Sequence, residues 1–581
     1  MLAACGAAPG PAPSQAADSA PPQTTNSAPT QDLSRIVDRY WDEHVPPGNP
    51  LSPQFMADSL AVERRFLAEV LALPRAGLGA DASLTYDIFK RQRELEIEGF
   101  TYPTELLPVN PLDGMPQQFA RAAADTAQQP LKAAKDYEKW LLRIDDNVRW
   151  VRQAIDNMRE GIRRGYTSPR MLMERTLPVL QSFGEDTSAN VFYTPLRTMP
   201  ESIKEPERTR LTSSLAAAIK DKLLPAFRDL HDFIQHEYLP RARVSIALSA
   251  LPLGPSWYAY RVKRATDTQL TPNEIHGIGV AEVERIRARM LSLSARAPLA
   301  ATAGAKAAIT AANASGAIGA SANGAAGAGA ADLLKAYQDL KVQTLAALPT
   351  LFSAVPRADF EIRAFPPVSE APALLVYRRA PPDGATPAIL YVNAMPNADR
   401  AANVEIASFL QEAIPGRHYQ SALQRERTDL PRFRRFGEEP AYVDGWALYA
   451  ASLGEELGLY RDDEARRSAL SNQLKCAAAL VVDTGIHAKN WTRAQAGDYL
   501  RAQLELSDAD ANLLVDRWVA LPGDALACKI GELKFQTLRI RAQQVRGARF
   551  DIREFHSEIL KDGAMPLDLL EAKMKPWMEA R

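Results

Sequence analysis

Residues 404–418 read Val404-Glu405-Ile406-Ala407-Ser408-Phe409-Leu410-Gln411-Glu412-Ala413-Ile414-Pro415-Gly416-Arg417-His418. The apolar side chains recur at helical spacing from Val404 to Ile414, which predicts an amphipathic helix. Pro415 lacks the amide hydrogen that would continue the ladder, and Gly416 lets the chain fold back. A zinc-binding helix ordinarily carries His at i and i+4, one turn apart. Here the position four after Gln411 is Pro415. The fold-back brings Arg417 or His418 toward Gln411 and Glu412, and an ion pair between Glu412 and Arg417 is expected.

Just upstream, 359–363, 374–378 and 388–393 are short runs of Phe, Ile, Leu, Val and Tyr separated by Pro and Gly turn signals. They are the one place where strands are expected. Elsewhere the pattern is helical. Ile36, Tyr40 and Trp41 form one stripe; Tyr137, Trp140, Leu141, Ile144 and Val148 form another. Residues 211–239 are strongly periodic, and Thr271-Pro272-Asn273-Glu274 reads as an N-cap, a first-position Pro and an acidic first turn. His231, His236 and His276 fall on these helices as isolated surface or core residues. The fold class read from these patterns is mainly α with a small central β-sheet, α+β.

The 581 residues carry 69 Lys plus Arg against 70 Asp plus Glu, a net charge of -1. A basic nucleic-acid protein is excluded, because nothing here offsets phosphate charge. No stretch approaches the roughly 20 apolar residues of a membrane helix. Three Cys rule out a disulfide scaffold. Leu2-Ala3-Ala4-Cys5 resembles the bacterial lipobox at which Cys is acylated, and a start upstream of Met1 is expected to supply the rest of a signal peptide. Residues 7–30 are Pro, Ala, Ser, Gln and Thr with almost no charge, the composition of a flexible tether. Four segments follow: lipobox and tether over 1–32, a helical region over 33–296, an Ala/Gly-rich insert over 297–331, and the remainder over 332–581.

Chemistry-bearing residues gather in four late blocks. The first is quoted above. The second is Tyr442-Val443-Asp444-Gly445-Trp446-Ala447-Leu448-Tyr449. The third is Val481-Val482-Asp483-Thr484-Gly485-Ile486-His487, and the fourth is Leu521-Pro522-Gly523-Asp524 through Cys528-Lys529-Ile530-Gly531-Glu532-Leu533. With Leu107-Pro108-Val109-Asn110, Trp257-Tyr258-Ala259-Tyr260 and Phe555-His556, these blocks resemble the bacterial family known as domain of unknown function 885. The resemblance runs from about Ser34 to Trp577, interrupted by the insert.

That resemblance implies a zincin-like helical shell around a cleft and membership of the zincin metallopeptidase clan. The family's pattern at the first block is similar to His-Glu-x-x-Pro-Gly-His-His. Here Gln411 and Arg417 stand where two His are expected, and Asp444 where the family has Glu. Glu412 matches the general base, and His418 and His487 are retained. The degradation has physical consequences. Gln offers zinc only a neutral amide oxygen, and zinc sites use imidazole, thiolate or carboxylate. A fixed guanidinium 4 Å from a unit positive charge costs about 4 kcal/mol at an effective dielectric of 20, and twice that for a divalent ion. Asp is shorter than Glu by about 1.5 Å, whereas metal–ligand distances tolerate about 0.2 Å.

The reading preferred from sequence is a membrane-anchored lipoprotein with a metallopeptidase-like fold, catalytically impaired or inactive, that binds a peptide. No cofactor, no nucleic acid, and membrane contact only through acylated Cys5 go with it. The expected location is the bacterial cell envelope, facing the periplasm. The alternative is an active zinc-dependent peptidase or hydrolase with an altered site. There Glu412 and His487 would be catalytic, His418 and Asp444 would hold zinc, and Tyr449 and Lys529 would meet substrate. Tyr449, Trp446 and Trp491 also read as core packing, and Lys529 with Glu532 as a helix-surface or pocket ion pair. Cys476 and Cys528 replace an Arg and a Tyr of the family. Two buried thiols filling vacated space is the favoured reading. A bridge, closing a loop of about 50 residues and worth up to about 4 kcal/mol, is the other.

Overall fold

The helix Asp463–Lys489 runs through the interior of the molecule, and every residue from Ala477 to His487 on it is buried. That explains its lack of an amphipathic stripe: a helix packed on all sides has no polar face. The computed structural model describes residues 28–124, 131–294, 325–365, 374–393 and 404–580. Cys5, the tether before residue 28, and residues 297–324 of the insert lie outside the described residues.

Two hydrophobic cores share this helix. One is built from residues 109–246, joined by Val283, Ile286 and side chains of 470–519. The other joins residues 33–106 to residues 248–275 and to the C-terminal half, ending at Met578. The cores therefore cut across sequence order. The helix Pro272–Ser294 starts as expected: Thr271 N–H donates to Glu274 Oε2 at 2.8 Å, and Glu274 N–H donates to Thr271 Oγ1 at 3.3 Å. It packs along Asp463–Lys489 and ties the cores together.

The strands form where expected: β1 (Phe360–Ala364), β2 (Leu375–Arg378) and β3 (Ala388–Val392). Their order is β1-β3-β2, with β3 parallel to β1 and antiparallel to β2. All five residues of the central strand, Ala388-Ile-Leu-Tyr-Val, are buried, which is why it reads as a continuous apolar run rather than an alternating one. The fold is mainly α with a small sheet.

The next helix spans Ile406–Glu412 rather than reaching from Val404 to Ile414. Its last turn closes with Ala413 N–H on Phe409 O at 2.8 Å, and the chain then reverses into the helix Arg417–Glu426. Gly416 is required by close approach: a Cβ there would lie 1.9 Å from the Gln411 carbonyl oxygen. A second close approach joins the helices Pro440–Ser452 and Ala527–Arg546. A Cβ on Gly445 would lie 2.3 Å from Gly531 Cα, and one on Gly531 would lie 1.8 Å from Ala441 O. Two of the late sequence blocks thus touch backbone to backbone.

Cys476 and Cys528 form a disulfide between the helices Asp463–Lys489 and Ala527–Arg546, with Cα atoms 6.3 Å apart. This corrects the favoured reading of two unpaired thiols. The helices bring residues 52 apart in sequence side by side, close enough for the two sulfurs to bond. Thiol titration of denatured, unreduced protein should find no thiol from either residue. Cys528→Ser should lower unfolding free energy by about 2–4 kcal/mol in denaturant titrations.

Candidate functional site

Arg417 reaches back from the first turn of its helix to two carboxylates. Its Nε donates to Glu412 Oε1 at 3.1 Å, and its Nη1 donates to Asp444 Oδ1 at 2.5 Å. All three side chains are less than a third exposed. Burial works to lower the Arg417 pKa, but Asp444 and Glu412 outweigh it and hold the group above its usual range. Glu412 Oε2 accepts the Tyr377 N–H of β2 at 3.3 Å, so the same carboxylate ties helix to sheet. Trp446 Nε1 donates to Pro415 O at 2.9 Å and clamps the reversal onto the Asp444 helix.

His418 sits beside this cluster with both ring nitrogens engaged. Nε2 donates to the Ala358 carbonyl at 3.1 Å, which fixes the tautomer, and Nδ1 then accepts the Tyr377 hydroxyl at 3.2 Å. Burial lowers its pKa to about 4, so the ring is neutral at pH 7.

His487 belongs to a different network. Its Nδ1 accepts Leu248 N–H at 3.0 Å and its Nε2 donates to Trp518 O at 2.9 Å. Burial lowers its pKa to about 3. One turn earlier, Asp483 accepts the Tyr258 hydroxyl at 2.5 Å and Gly523 N–H at 3.0 and 3.1 Å; burial raises its pKa to about 7. The pair lies on one face of the helix and pins the turn at 248, the end of the helix Asp508–Ala520 and the turn after it. Sequence reasoning quoted Asp483 and Tyr258 but assigned them no role. The signal was the i, i+4 spacing of Asp483 and His487, which puts both on one face of a helix.

The structure places Tyr449 and Lys529 in the interior. The Tyr449 hydroxyl donates to His556 Nε2 at 2.9 Å, and His556 Nδ1 donates to Leu351 O at 2.8 Å. Lys529 is fully buried between Glu532 at 2.6 Å and Glu282 at 2.8 Å. The expected Lys529–Glu532 pair is present, but as a core ion pair with a third member rather than on a surface or in a pocket.

Whether these side chains suit zinc is decided by the donors. The Arg417 guanidinium lies between the two carboxylates that would bind the ion, and both His418 nitrogens are already hydrogen-bonded. Gln411 adds at best an amide oxygen. Among the described residues no group of three or more His, Cys, Asp or Glu is arranged to hold a metal. The residues present do not fit zinc.

Next to Asp444 opens a cavity of about 340 Å³. Its walls come from the helix Gly254–Thr266, the turn before the Asp444 helix, and the end of the helix Asp508–Ala520 with the turn after it. Arg261, Arg264, Arg517 and Asp524 supply charge, and Trp518 and Leu521 supply apolar surface. Of these six only Leu521 and Asp524 fall in a block that the sequence singles out, and neither was given a role; the others are scattered along the chain and converge only in the fold.

The Asp444 helix begins at Glu439, a buried N-cap carboxylate bonded by Gln92 Nε2 at 2.7 Å. Beside it Asp267, in the left-handed conformation with φ 53°, ends the Gly254–Thr266 helix, and its buried Oδ2 has no hydrogen-bond partner among the described residues. Burial raises the pKa of both, and Glu439 raises Asp267 further; Arg91 and Arg264 oppose this, and Asp568 adds to it at Asp267.

The architecture is that of a mainly helical protein with a three-stranded mixed sheet and a charged cavity between helices. The chain belongs to the family described as Bacterial protein of unknown function (DUF885), whose model matches residues 48–574. Two solved structures share the fold. The crystal structure of a candidate lipoprotein from Colwellia psychrerythraea has a TM-score of 0.80 at 23% identity, covering 96% of this chain and 100% of that one. A candidate lipoprotein of unknown function from Shewanella oneidensis has a TM-score of 0.68 at 15% identity, covering 94% of this chain and 100% of that one. No curated protein matches the chain.

Arg417→Met should leave Glu412 and Asp444 without a counter-ion and destabilise the fold by about 1–3 kcal/mol, with Asp444→Asn in the same chain restoring part of the loss. A buried acid with a raised pKa stabilises the fold while protonated. That contribution is complete below the ordinary carboxylate range near 4 and is lost as pH rises toward the raised value. The buried neutral His418 and His487 act in the opposite sense below about pH 6.5, so the fall in the urea midpoints of the natural protein should appear between about pH 6.5 and pH 8. Asp267→Asn keeps the left-handed cap and should flatten that fall by about 1 kcal/mol or more.

Proposed function

We propose that the protein is a membrane-anchored lipoprotein of the bacterial cell envelope, facing the periplasm, which binds a peptide and has no working metal hydrolase centre. The fold is read as zincin-like with the metal replaced by a side chain. The observation that carries this is the Arg417 guanidinium held by Glu412 and Asp444, at 3.1 and 2.5 Å. Glu412 matches the general base of the resembled family, and a carboxylate locked to an arginine has no metal-bound water from which to take a proton. The lipobox at Cys5 supports the anchor. So do the two structural neighbours described as lipoproteins. The cavity beside Asp444, with charges of both signs and apolar wall between them, supports a peptide as the ligand.

Elemental analysis of protein purified without chelator should show only trace zinc; a stoichiometric amount would overturn the reading. The variant carrying Gln411→His, Arg417→His and Asp444→Glu should bind zinc at least about a hundredfold more tightly than the natural chain, since it removes a cation and adds two imidazoles. If its affinity is unchanged, the site is not a displaced metal centre.

A further inference from the structure

We infer that the cavity beside Asp444 takes the C-terminal end of a peptide, with the terminal carboxylate on Arg517 and the last side chain against Trp518 and Leu521. This deepens the peptide-binding reading and rests on it. Each carboxylate in the wall already has a cation. Asp444 is held by Arg417 at 2.5 Å, Asp524 by Arg261 at 2.7 Å, and Glu438 by Arg379. Arg264 is engaged by Glu96 at 2.8 Å and by the Tyr260 hydroxyl at 3.1 Å. Arg517 lines the same cavity, is exposed, and has no carboxylate within ion-pair distance among the described residues. It is the cation left over.

A guanidinium presents a planar fork of donors that matches a carboxylate with two parallel hydrogen bonds. A phosphate would match the fork as well. Three things favour a peptide carboxylate. Asp444, Asp524 and Glu438 remain in the wall and repel a dianion more than a single negative charge. The same oxygens accept hydrogen bonds, which the amide N–H groups of a peptide donate and a phosphate at neutral pH largely does not. Finally, Trp518, Leu521 and Val443 give an apolar floor for one side chain, and about 340 Å³ is at the small end of ligand cavities.

The test uses calorimetric titration of the full chain with the tripeptide Ala-Ala-Phe as free acid and as C-terminal amide. The free acid should bind at least about tenfold more tightly than the amide. Arg517→Gln should bring the ratio near one, and Arg517→Glu should favour the amide, both with an unchanged thermal midpoint because Arg517 is exposed. Equal binding of acid and amide, or a ratio that survives Arg517→Gln, overturns the inference and leaves peptide binding standing. Displacement of the acid by inorganic phosphate at comparable concentration overturns the choice of ligand. Failure of both peptides to bind overturns this inference and the peptide-binding reading together. Cleavage of the peptide overturns only the claim that hydrolysis is lost.

Discussion

A single guanidinium between two carboxylates organises the centre of this molecule. Arg417 joins Glu412, at the end of one helix, to Asp444, in the first turns of another, and Glu412 in turn receives the edge strand through Tyr377 N–H. Two carboxylates meet on one cation, and the edge strand joins them through Glu412. Like charges on Glu412 and Asp444 would otherwise face each other in a half-buried setting, where water screens them poorly. The backbone reversal at Pro415 and Gly416 exists in service of that contact. With four more residues of regular helix the Arg417 side chain would project away from Glu412.

Around this centre the fold uses buried polar groups as clamps. Asp483 and His487 bond the backbone at Gly523, Leu248 and Trp518, and the end of the helix Asp508–Ala520 with the turn after it carries Trp518, Leu521 and Asp524 to the cavity wall. Lys529 with Glu282 and Glu532 binds two helices in the core, and Tyr449 with His556 does the same elsewhere. Buried ionisable groups are tolerated when they are paired, hydrogen-bonded or held neutral, and a group at such a position is a strut before it is a catalyst. This accounts for sequence blocks rich in chemistry whose members point into packing rather than into a cleft.

The three strands, the capped helix at Thr271 and the ion pair between Glu412 and Arg417 were legible because each depends on neighbours in sequence. Strand runs, a capping box and a Pro-Gly reversal are short-range signals. The disulfide was not legible in this way. Cys476 and Cys528 look like core fillers on two separate helices, and only the placement of those helices brings their Cα atoms to 6.3 Å. The cavity was hidden for the same reason, since its charged residues lie on elements far apart in the chain and show no spacing.

By itself, then, the sequence determined the mainly helical class, the place of the sheet, the family, and the placing of Glu412 and Arg417 on either side of a Pro-Gly reversal. These rest on periodicity and on residue identity, which are properties of the chain. Only the tertiary structure decided that Arg417 bridges both carboxylates, that the cysteines are joined, that Tyr449 and Lys529 are interior, and that Arg517 lines a cavity with no carboxylate within ion-pair distance among the described residues. Each is a statement about which side chains share a few ångströms. Those distances are set by helix packing, down to the glycine contact between Gly445 and Gly531, which no local pattern encodes.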